Sequence, residues 1–125
     1  MNEIFKDIKG YEGYYQVSNL GRVKSVQRQI IKRGNYYTLK EKILKPCKDN
    51  LGYLHVRLCK NGKPTLWKIH QLVALAFLNH DRKEAGWDTI IHHINGNKRD
   101  NRVTNLEIQS RVEHLRQHKL EYWSR

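Results

Sequence analysis

Four histidines near the C-terminal end of the chain have the types and spacing that metal-dependent chemistry needs. His92 and His93 are adjacent at the end of a short apolar run, and His114 and His118 stand four residues apart. Neighbouring residues of a strand point to opposite faces, so one imidazole of the first pair could bind a metal ion while the other addresses a water molecule. Histidines four residues apart on a helix share one face and commonly supply two metal ligands.

The residues around these histidines predict the elements that must position them. Residues 89–91 are β-prone, the Asn-rich segment 95–101 is typical of a turn, and residues 106–108 indicate a second short strand. Ser110 and Glu113 have the capping-box spacing, which predicts a helix that begins directly after Ser110. That helix would carry the second histidine pair, so the expected order is strand, loop, strand and helix.

The chain ahead of this segment alternates between strand and helix patterns. Residues 3–26 indicate short strands separated by glycine turns. Residues 53–69 alternate between apolar and polar side chains on either side of Asn61-Gly62, which predicts a β-hairpin, and residues 70–78 have the apolar spacing of a short helix. The predicted fold class is therefore α+β, with small antiparallel strands and a short helix that lead into a C-terminal ββα unit.

Charge is the strongest bulk property of the sequence. The 125 residues include 24 Lys and Arg against 12 Asp and Glu, a formal net charge of +12, which attracts polyanions such as nucleic acid. Nine of the positive side chains lie in residues 22–48, where Glu41 is the single acidic residue, so this run predicts a phosphate-binding surface around a turn or mobile loop at Gly34-Asn35. No basic amphipathic helix or long apolar run favours a membrane instead.

These residues resemble the ββα-metal motif of HNH endonucleases, because HHINGN, DN, NLE and EH follow one another in that family's order and spacing. Residues 3–26 resemble the NUMOD module that precedes the nuclease in phage and intron homing endonucleases, and HQLVALAF resembles part of their linking region. The resemblance implies a NUMOD-like basic DNA-binding module at 1–48 and an HNH nuclease domain at 49–125. The latter would hold a hairpin and helix at 52–78 and the ββα-metal motif at 89–123.

The resemblance also implies a role for each candidate site residue. His93 falls on the general base, and Asn105 on the central asparagine that braces the loop and orients that base. His92 and His114 fall on metal ligands, and His118 on a further histidine that bacterial toxin nucleases with this motif use. Homing relatives often have Asp and Asn at the first and last ligand positions. The implied cofactor is one divalent ion (Mg²⁺, Mn²⁺, Zn²⁺ or Ni²⁺), and an all-imidazole set suits magnesium least.

The implied activity is metal-dependent hydrolysis of DNA phosphodiester bonds to 5′-phosphate and 3′-hydroxyl ends. His93 would take a proton from the attacking water, and the metal ion would stabilise the charge on the phosphate and the leaving oxygen. The expected partner is double-stranded DNA. The predicted DNA-binding residues are the basic side chains that flank the site and those of the early basic run, namely Lys98, Arg99, Arg102, Arg111, Arg22, Lys24, Arg28, Lys32 and Arg33.

Two questions stay open at the level of sequence. The histidines could instead hold a structural metal in a catalytically silent DNA-binding or regulatory protein. One site per chain fits nicking, whereas double-strand cleavage needs a dimer or sequential cuts, so both a monomer and a homodimer are compatible. The N-terminus has no apolar signal segment, which predicts a cytoplasmic protein. The resemblance to homing endonucleases implies that a phage or mobile element encodes it.

Overall fold

The computed structural model describes residues 2–85 and 88–111 of the chain. They form short antiparallel strands, two α-helices and a 3-10 helix at Val103–Asn105, so the predicted α+β class is confirmed. In chain order the elements are β1 (Phe5–Asp7), β2 (Tyr15–Ser18), β3 (Val23–Ser25), β4 (Arg28–Lys32), β5 (Asn35–Leu39), β6 (Lys42–Ile43), β7 (Cys47–Lys48), β8 (Leu54–Lys60), β9 (Lys63–Lys68), α1 (Ile69–Phe77), α2 (Arg82–Ala85), β10 (Thr89–His93) and β11 (Leu106–Ser110).

The N-terminal sheet has the strand order β1-β2-β3-β6, with antiparallel neighbours. The predicted turn between β2 and β3 is present. The Ser18 N–H donates to the Arg22 carbonyl at 2.8 Å, and the Gly21 N–H donates to the Ser18 carbonyl at 3.0 Å. Gly21 has a φ of +89°, a conformation that glycine adopts without the steric penalty of a side chain.

The second sheet is built on the hairpin that alternation predicts, β8 and β9, with β7 on the outer side of β8. Asn61 and Gly62 have φ values of 54° and 74°, the pair of positive angles of a type I′ turn. Val56, Leu58 and Trp67 are buried on the inner face. The hairpin predicted for residues 53–69 is therefore confirmed. Its two-residue turn fixes the register of the strands, and the register decides which face of the hairpin is apolar.

Helix α1 follows β9 directly and differs by one residue at each end from the predicted range 70–78. The side-chain oxygen of Gln71 accepts a hydrogen bond from the Lys68 backbone N–H at 3.1 Å, which caps the first turn. Leu72, Val73 and Ala74 are fully buried. This apolar stripe packs the helix between the two sheets and the β10–β11 region.

One hydrophobic core joins the two halves of the chain. Ile8, Val17 and Val23 of the N-terminal part belong to the same buried cluster as Leu58 and Leu72 of the later part. The predicted boundary at residue 48 thus separates two segments that share a core, and it stays a prediction. Shared burial of this kind makes the relative placement of the segments part of the fold.

The basic segment forms a β-hairpin at its centre, where the sequence predicted only a turn or mobile loop. Strands β4 and β5 pair from Arg28↔Leu39 to Lys32↔Asn35, and Arg33 and Gly34 form the turn with positive φ angles. In the described part of the chain the two strands pair with each other alone. Every residue from 31 to 43 is exposed, so this hairpin projects from the body of the protein.

The described helices are short. Helix α2 occupies one turn of the polar segment between α1 and β10. No helix in residues 2–85 or 88–111 is long and apolar enough to cross a bilayer. The helix predicted to follow Ser110, with its two histidines, lies outside the described residues.

Candidate functional site

The two-stranded sheet of β10 and β11 carries the first histidine pair. His93 lies opposite Leu106, and His92 lies opposite Glu107. Alternation along β10 sends the two imidazoles to different faces, as the sequence predicts. His93 is 7% exposed, whereas His92 is only partly buried. The His93 ring therefore lies among buried neighbours. Its contacts with them determine the chemistry of the imidazole.

Asn101 holds the His93 ring. The Nε2 atom of His93 lies 2.9 Å from the side-chain oxygen of Asn101, and Asn101 is itself 4% exposed. An amide oxygen only accepts hydrogen bonds, so this contact keeps the imidazole proton on Nε2 and leaves the lone pair on Nδ1. An imidazole fixed in this tautomer is suited to take a proton from a water molecule at Nδ1.

Asn105 braces the loop that connects the two strands. Its side-chain oxygen accepts the Asn95 backbone N–H at 3.0 Å, and its amide group donates to the Asn95 side-chain oxygen and to the Asp100 carbonyl, both at 2.9 Å. Asn105 is 6% exposed. The described contact with the base imidazole comes from Asn101, not from Asn105. The sequence contains Asn101 in the DN pair of the motif, but its chemistry alone did not distinguish it from the other loop asparagines.

A charged pair reinforces the same loop. Arg102 donates two hydrogen bonds to the Asp100 carboxylate, at 2.8 and 2.7 Å, and Asp100 also accepts from the Asn95 side chain at 2.9 Å. The Arg102 guanidinium lowers the pKa of Asp100 to about 2, so the carboxylate stays charged at neutral pH. Arg102, a predicted DNA-binding residue, is therefore already engaged in an ion pair.

Two aromatic rings complete the surroundings of His93. The His70 ring centroid lies 5.0 Å from that of His93, and the Tyr53 centroid lies 5.2 Å from His70 and 6.0 Å from His93. Burial lowers the pKa of His70 to about 3, with smaller contributions from the neighbouring His93 and Lys68, so His70 is neutral in the folded protein. The sequence suggested a structural role for His70 at a strand-to-helix junction. Its position beside His93 depends on tertiary packing, which local pattern does not contain.

Lysines line the approach to this ring cluster. The Lys98 ammonium group donates to the Leu51 carbonyl at 2.9 Å and lies 4.8 Å from the centroid of the Tyr53 ring. The Lys68 ammonium group lies 4.6 Å from the same ring. Arg99 is exposed at the outer end of the loop. Positive charge therefore stands next to the buried base, where a phosphate group would have to bind.

The other predicted DNA-binding residues divide into engaged and exposed groups. Arg22 forms an ion pair with Glu3, and Lys24 forms one with Glu41 at 3.1 Å. Arg111 is partly buried, and its backbone N–H donates to the Asp88 carbonyl at 2.8 Å.

The remaining three lie on the β4–β5 hairpin. The Arg28 guanidinium packs 4.9 Å from the centroid of the Tyr14 ring at the base of the hairpin, whereas Lys32 and Arg33 are exposed at its tip. Tyr36 next to the tip is 74% exposed. A positively charged tip with an uncovered aromatic ring is the composition of a surface that binds nucleic acid.

The proposed metal shell is described only in part. His92 is the one predicted ligand within the described residues, and His114 and His118 lie outside them. No group of three His, Cys, Asp or Glu side chains comes together within residues 2–85 and 88–111. The donor chemistry is consistent with a divalent ion, because neutral imidazole nitrogen is a ligand of zinc, nickel and manganese.

Comparison with known proteins finds two motifs in the chain. Residues 3–59 match the NUMOD4 motif, and residues 69–116 match the HNH endonuclease family. The DNA endonuclease I-HmuI of Bacillus phage SP01 is 44% identical over 102 residues, which are 82% of this chain and 49% of that protein. An uncharacterized HNH endonuclease of Acanthamoeba polyphaga mimivirus, L247, is 37% identical over 112 residues, which are 85% of this chain and 23% of that protein.

A solved structure extends the similarity to three dimensions. This chain superimposes on a solved structure of the HNH homing endonuclease I-HmuI, which concerns DNA binding and cleavage by that protein. The TM-score is 0.72 at 34% identity, over 94% of this chain and 59% of that chain. The chain spans only part of its relatives, namely 49% of the length of the phage endonuclease I-HmuI and 23% of the length of L247. The two motifs cover most of its length in the order that the sequence predicted, with a NUMOD4 motif ahead of a region that matches the HNH endonuclease family.

Proposed function

We propose that this chain is a metal-dependent DNA endonuclease that hydrolyses phosphodiester bonds to 5′-phosphate and 3′-hydroxyl ends. The observation that carries the proposal is the fixed position of His93, a buried imidazole whose Nε2 lies 2.9 Å from the side-chain oxygen of Asn101. The match of residues 69–116 to the HNH endonuclease family and the net charge of +12 support DNA as the substrate.

His93 acts as the general base in this proposal. Its Nδ1 accepts a proton from the water that attacks the scissile phosphate, while the Nε2–H bond to Asn101 prevents the ring from rotating away. Asn105 keeps both ends of the loop together through Asn95 and Asp100, so the distance between base and phosphate stays constant. Lys98 and Arg99 bind phosphates next to the one that is cleaved.

His92, His114 and His118 would hold the metal ion. A divalent ion bound there supplies positive charge for the scissile phosphate and the leaving 3′ oxygen. His92 is suited to this task because it shares β10 with the base but faces the other side of the strand. The two functions therefore do not compete for one ring.

The β4–β5 hairpin is the proposed contact with DNA outside the site. An antiparallel two-stranded ribbon fits the major groove, and the hairpin has the solvent exposure that such a contact needs. Lys32 and Arg33 at the tip would bind phosphates, and Tyr36 would contact a sugar or base. Arg28 secures the hairpin through its packing against Tyr14.

Plasmid cleavage tests the proposal. Purified protein is incubated with supercoiled DNA and Mg²⁺, Mn²⁺, Zn²⁺ or Ni²⁺, with EDTA as control, next to the His93→Ala and His55→Ala variants. We expect relaxed or linear product with at least one metal, none with EDTA, and a loss of about 10²-fold or more in His93→Ala with unchanged DNA affinity. His55 lies in β8, outside the loop, so its variant should cleave normally.

Two results would contradict the proposal. Absence of any product with every metal would favour the catalytically silent DNA-binding protein. Cleavage by His93→Ala at the rate of the unmodified protein would show that another group is the base.

A further inference from the structure

The turn between β2 and β3, residues 18–21, packs directly against the residue that holds the His93 ring. A methyl group on Gly21 would lie 3.0 Å from the Cβ of Asn101, 3.2 Å from its carbonyl oxygen and 3.3 Å from its carbonyl carbon. Two of these three atoms are backbone, so the contact could not be relieved by a side-chain rotation. Gly21 therefore fits against Asn101 because it has no side chain.

A hydrogen bond joins the same two segments. The Val103 backbone N–H donates to the Asn19 carbonyl at 2.8 Å. Asn19 is 6% exposed and Val103 is partly buried, and Asn101, which contacts Gly21, is 4% exposed. The loop between the two strands of the nuclease motif thus rests on the N-terminal sheet at two points, on either side of Arg102.

The turn is itself held by the first residues of the chain. The Asn19 side-chain oxygen accepts the Ile4 N–H at 2.7 Å, and the Ser18 hydroxyl donates to the Glu3 carboxylate at 2.8 Å. The Ser18 hydroxyl also accepts the Arg22 N–H at 3.1 Å. A turn with this many internal bonds behaves as a fixed support rather than as a mobile loop.

We propose that Asn101 is a positioning residue for His93 and that the Gly21 turn of the NUMOD4 segment holds Asn101 in place. The N-terminal segment is then a structural part of the catalytic site, in addition to any contact it makes with DNA. The inference rests on the proposed function, since it takes His93 as the base. It assigns to the glycine turn a task that neither motif match specifies.

Substitution of Asn101 separates positioning from folding. Asn101→Leu has a similar size but no acceptor for the His93 Nε2–H, whereas Asn101→Asp keeps an acceptor oxygen. Under single-turnover conditions with DNA bound, we expect Asn101→Leu to cleave about 100-fold more slowly and Asn101→Asp to recover most of the loss. DNA dissociation constants should stay within about twofold for both variants, because Asn101 is buried and does not reach the DNA.

A matched pair of glycine variants tests the support. Gly10 has a φ of +88°, almost the value of Gly21, but a methyl group there would meet no described atom within 4 Å. Gly10→Ala and Gly21→Ala therefore introduce the same backbone strain, and only the second pushes on Asn101. We expect cleavage to slow about tenfold or more in Gly21→Ala and to stay normal in Gly10→Ala. In the Asn101→Leu background, Gly21→Ala should add little, because both changes act through one contact.

Three outcomes would overturn the inference: a normal cleavage rate in Asn101→Leu, an equal loss in the two glycine variants, or fully additive losses in the double variant. If Gly21→Ala does not fold, the cleavage rates of Asn101→Leu and Asn101→Asp alone test the inference. Failure of the proposed function looks different. His93→Ala would then cleave normally, whereas an inactive His93→Ala beside a fully active Asn101→Leu contradicts only the positioning role.

Discussion

The loop at residues 93–105 and the hairpin at residues 28–39 are both rich in polar and basic side chains, but the structure uses them in opposite ways. In the loop, Asn95, Asn101 and Asn105 form hydrogen bonds within the protein, and two of the three are buried. In the hairpin, every residue from 31 onward is exposed. The loop thus fixes a geometry, while the hairpin presents a surface.

This difference follows from where the backbone of each segment finds its hydrogen bonds. The hairpin satisfies its backbone through the β4–β5 pairing, which leaves its side chains available for a partner. The loop has no strand pairing between His93 and Leu106, so asparagine side chains replace the missing backbone partners. Substitutions in the loop should therefore affect stability and catalysis, and substitutions in the hairpin should affect DNA affinity.

The largest effect is expected at Asn105. Asn105→Ala removes three part-buried hydrogen bonds, two of them to backbone groups of Asn95 and Asp100, which should lower the free energy of unfolding by about 3 kcal/mol. Cleavage should fall about 100-fold even where the protein is fully folded. Asn97→Ala is the matched control, because exposed Asn97 accepts one bond, from the Arg99 N–H at 3.1 Å. Urea denaturation and single-turnover cleavage measure both, and similar losses in the two variants would contradict the distinction.

A smaller effect is expected from the buried imidazole beside the base. His70 has a pKa of about 3 in the folded protein and an ordinary pKa near 6.5 when unfolded. Between these values the unfolded chain binds a proton that the folded chain does not, so stability is lost as the pH falls below about 6.5. The slope is about 1.4 kcal/mol per pH unit, or about 2 kcal/mol between pH 6.5 and 5.

Comparison with His70→Leu isolates this contribution. The variant has no titrating ring at that position, so its free energy of unfolding should fall by about 2 kcal/mol less than that of the unmodified protein over the same pH range. Denaturant titrations at pH 6.5, 6.0, 5.5 and 5.0 give the difference. Parallel pH dependence in the two proteins would mean that His70 is protonated in the folded state.

The smallest effect on stability is expected at the hairpin tip. Lys32→Gln combined with Arg33→Gln should leave the free energy of unfolding within about 0.5 kcal/mol and reduce the salt dependence of DNA binding, by about 0.9 in logarithmic slope for each lost phosphate contact. Arg57→Gln with Lys63→Gln, on the exposed side of the β8–β9 hairpin, makes the same change in charge. Equal slopes in the two double variants would show that the β4–β5 hairpin makes no specific contact with phosphates.

The features that the sequence predicted correctly are local ones. The Asn61-Gly62 turn, the apolar stripe of α1 and the alternation in β10 each depend on residues a few positions apart, and each is confirmed. Local chemistry also indicated a turn at the centre of the basic run. It did not indicate the pairing of β4 with β5, because strands that are mostly exposed lack the apolar alternation that marks a half-buried strand.

The features that the sequence did not reveal involve long-range contacts. His70 lies 23 positions before His93, and their ring contact exists because α1 packs against β10. Gly21 and Asn101 are 80 positions apart, and each resembles an ordinary turn residue when read in its own segment. Asn105 was identified through the family motif, whereas the hydrogen bond from the His93 ring to Asn101 required the fold. Spacing can identify candidate ligands and bases, but it does not identify the residues that hold them.

The most direct test of the account is the protonation state of the His93 ring. Long-range ¹H–¹⁵N correlation spectra of the ¹⁵N-labelled protein distinguish the two tautomers of a neutral imidazole, and His93→Gln assigns the signal. We expect a neutral ring with its proton on Nε2, and a change in this pattern in Asn101→Leu but not in Asn97→Ala. A neutral His93 with its proton on Nδ1 would contradict the account, because the atom proposed to accept the proton from water would already carry one.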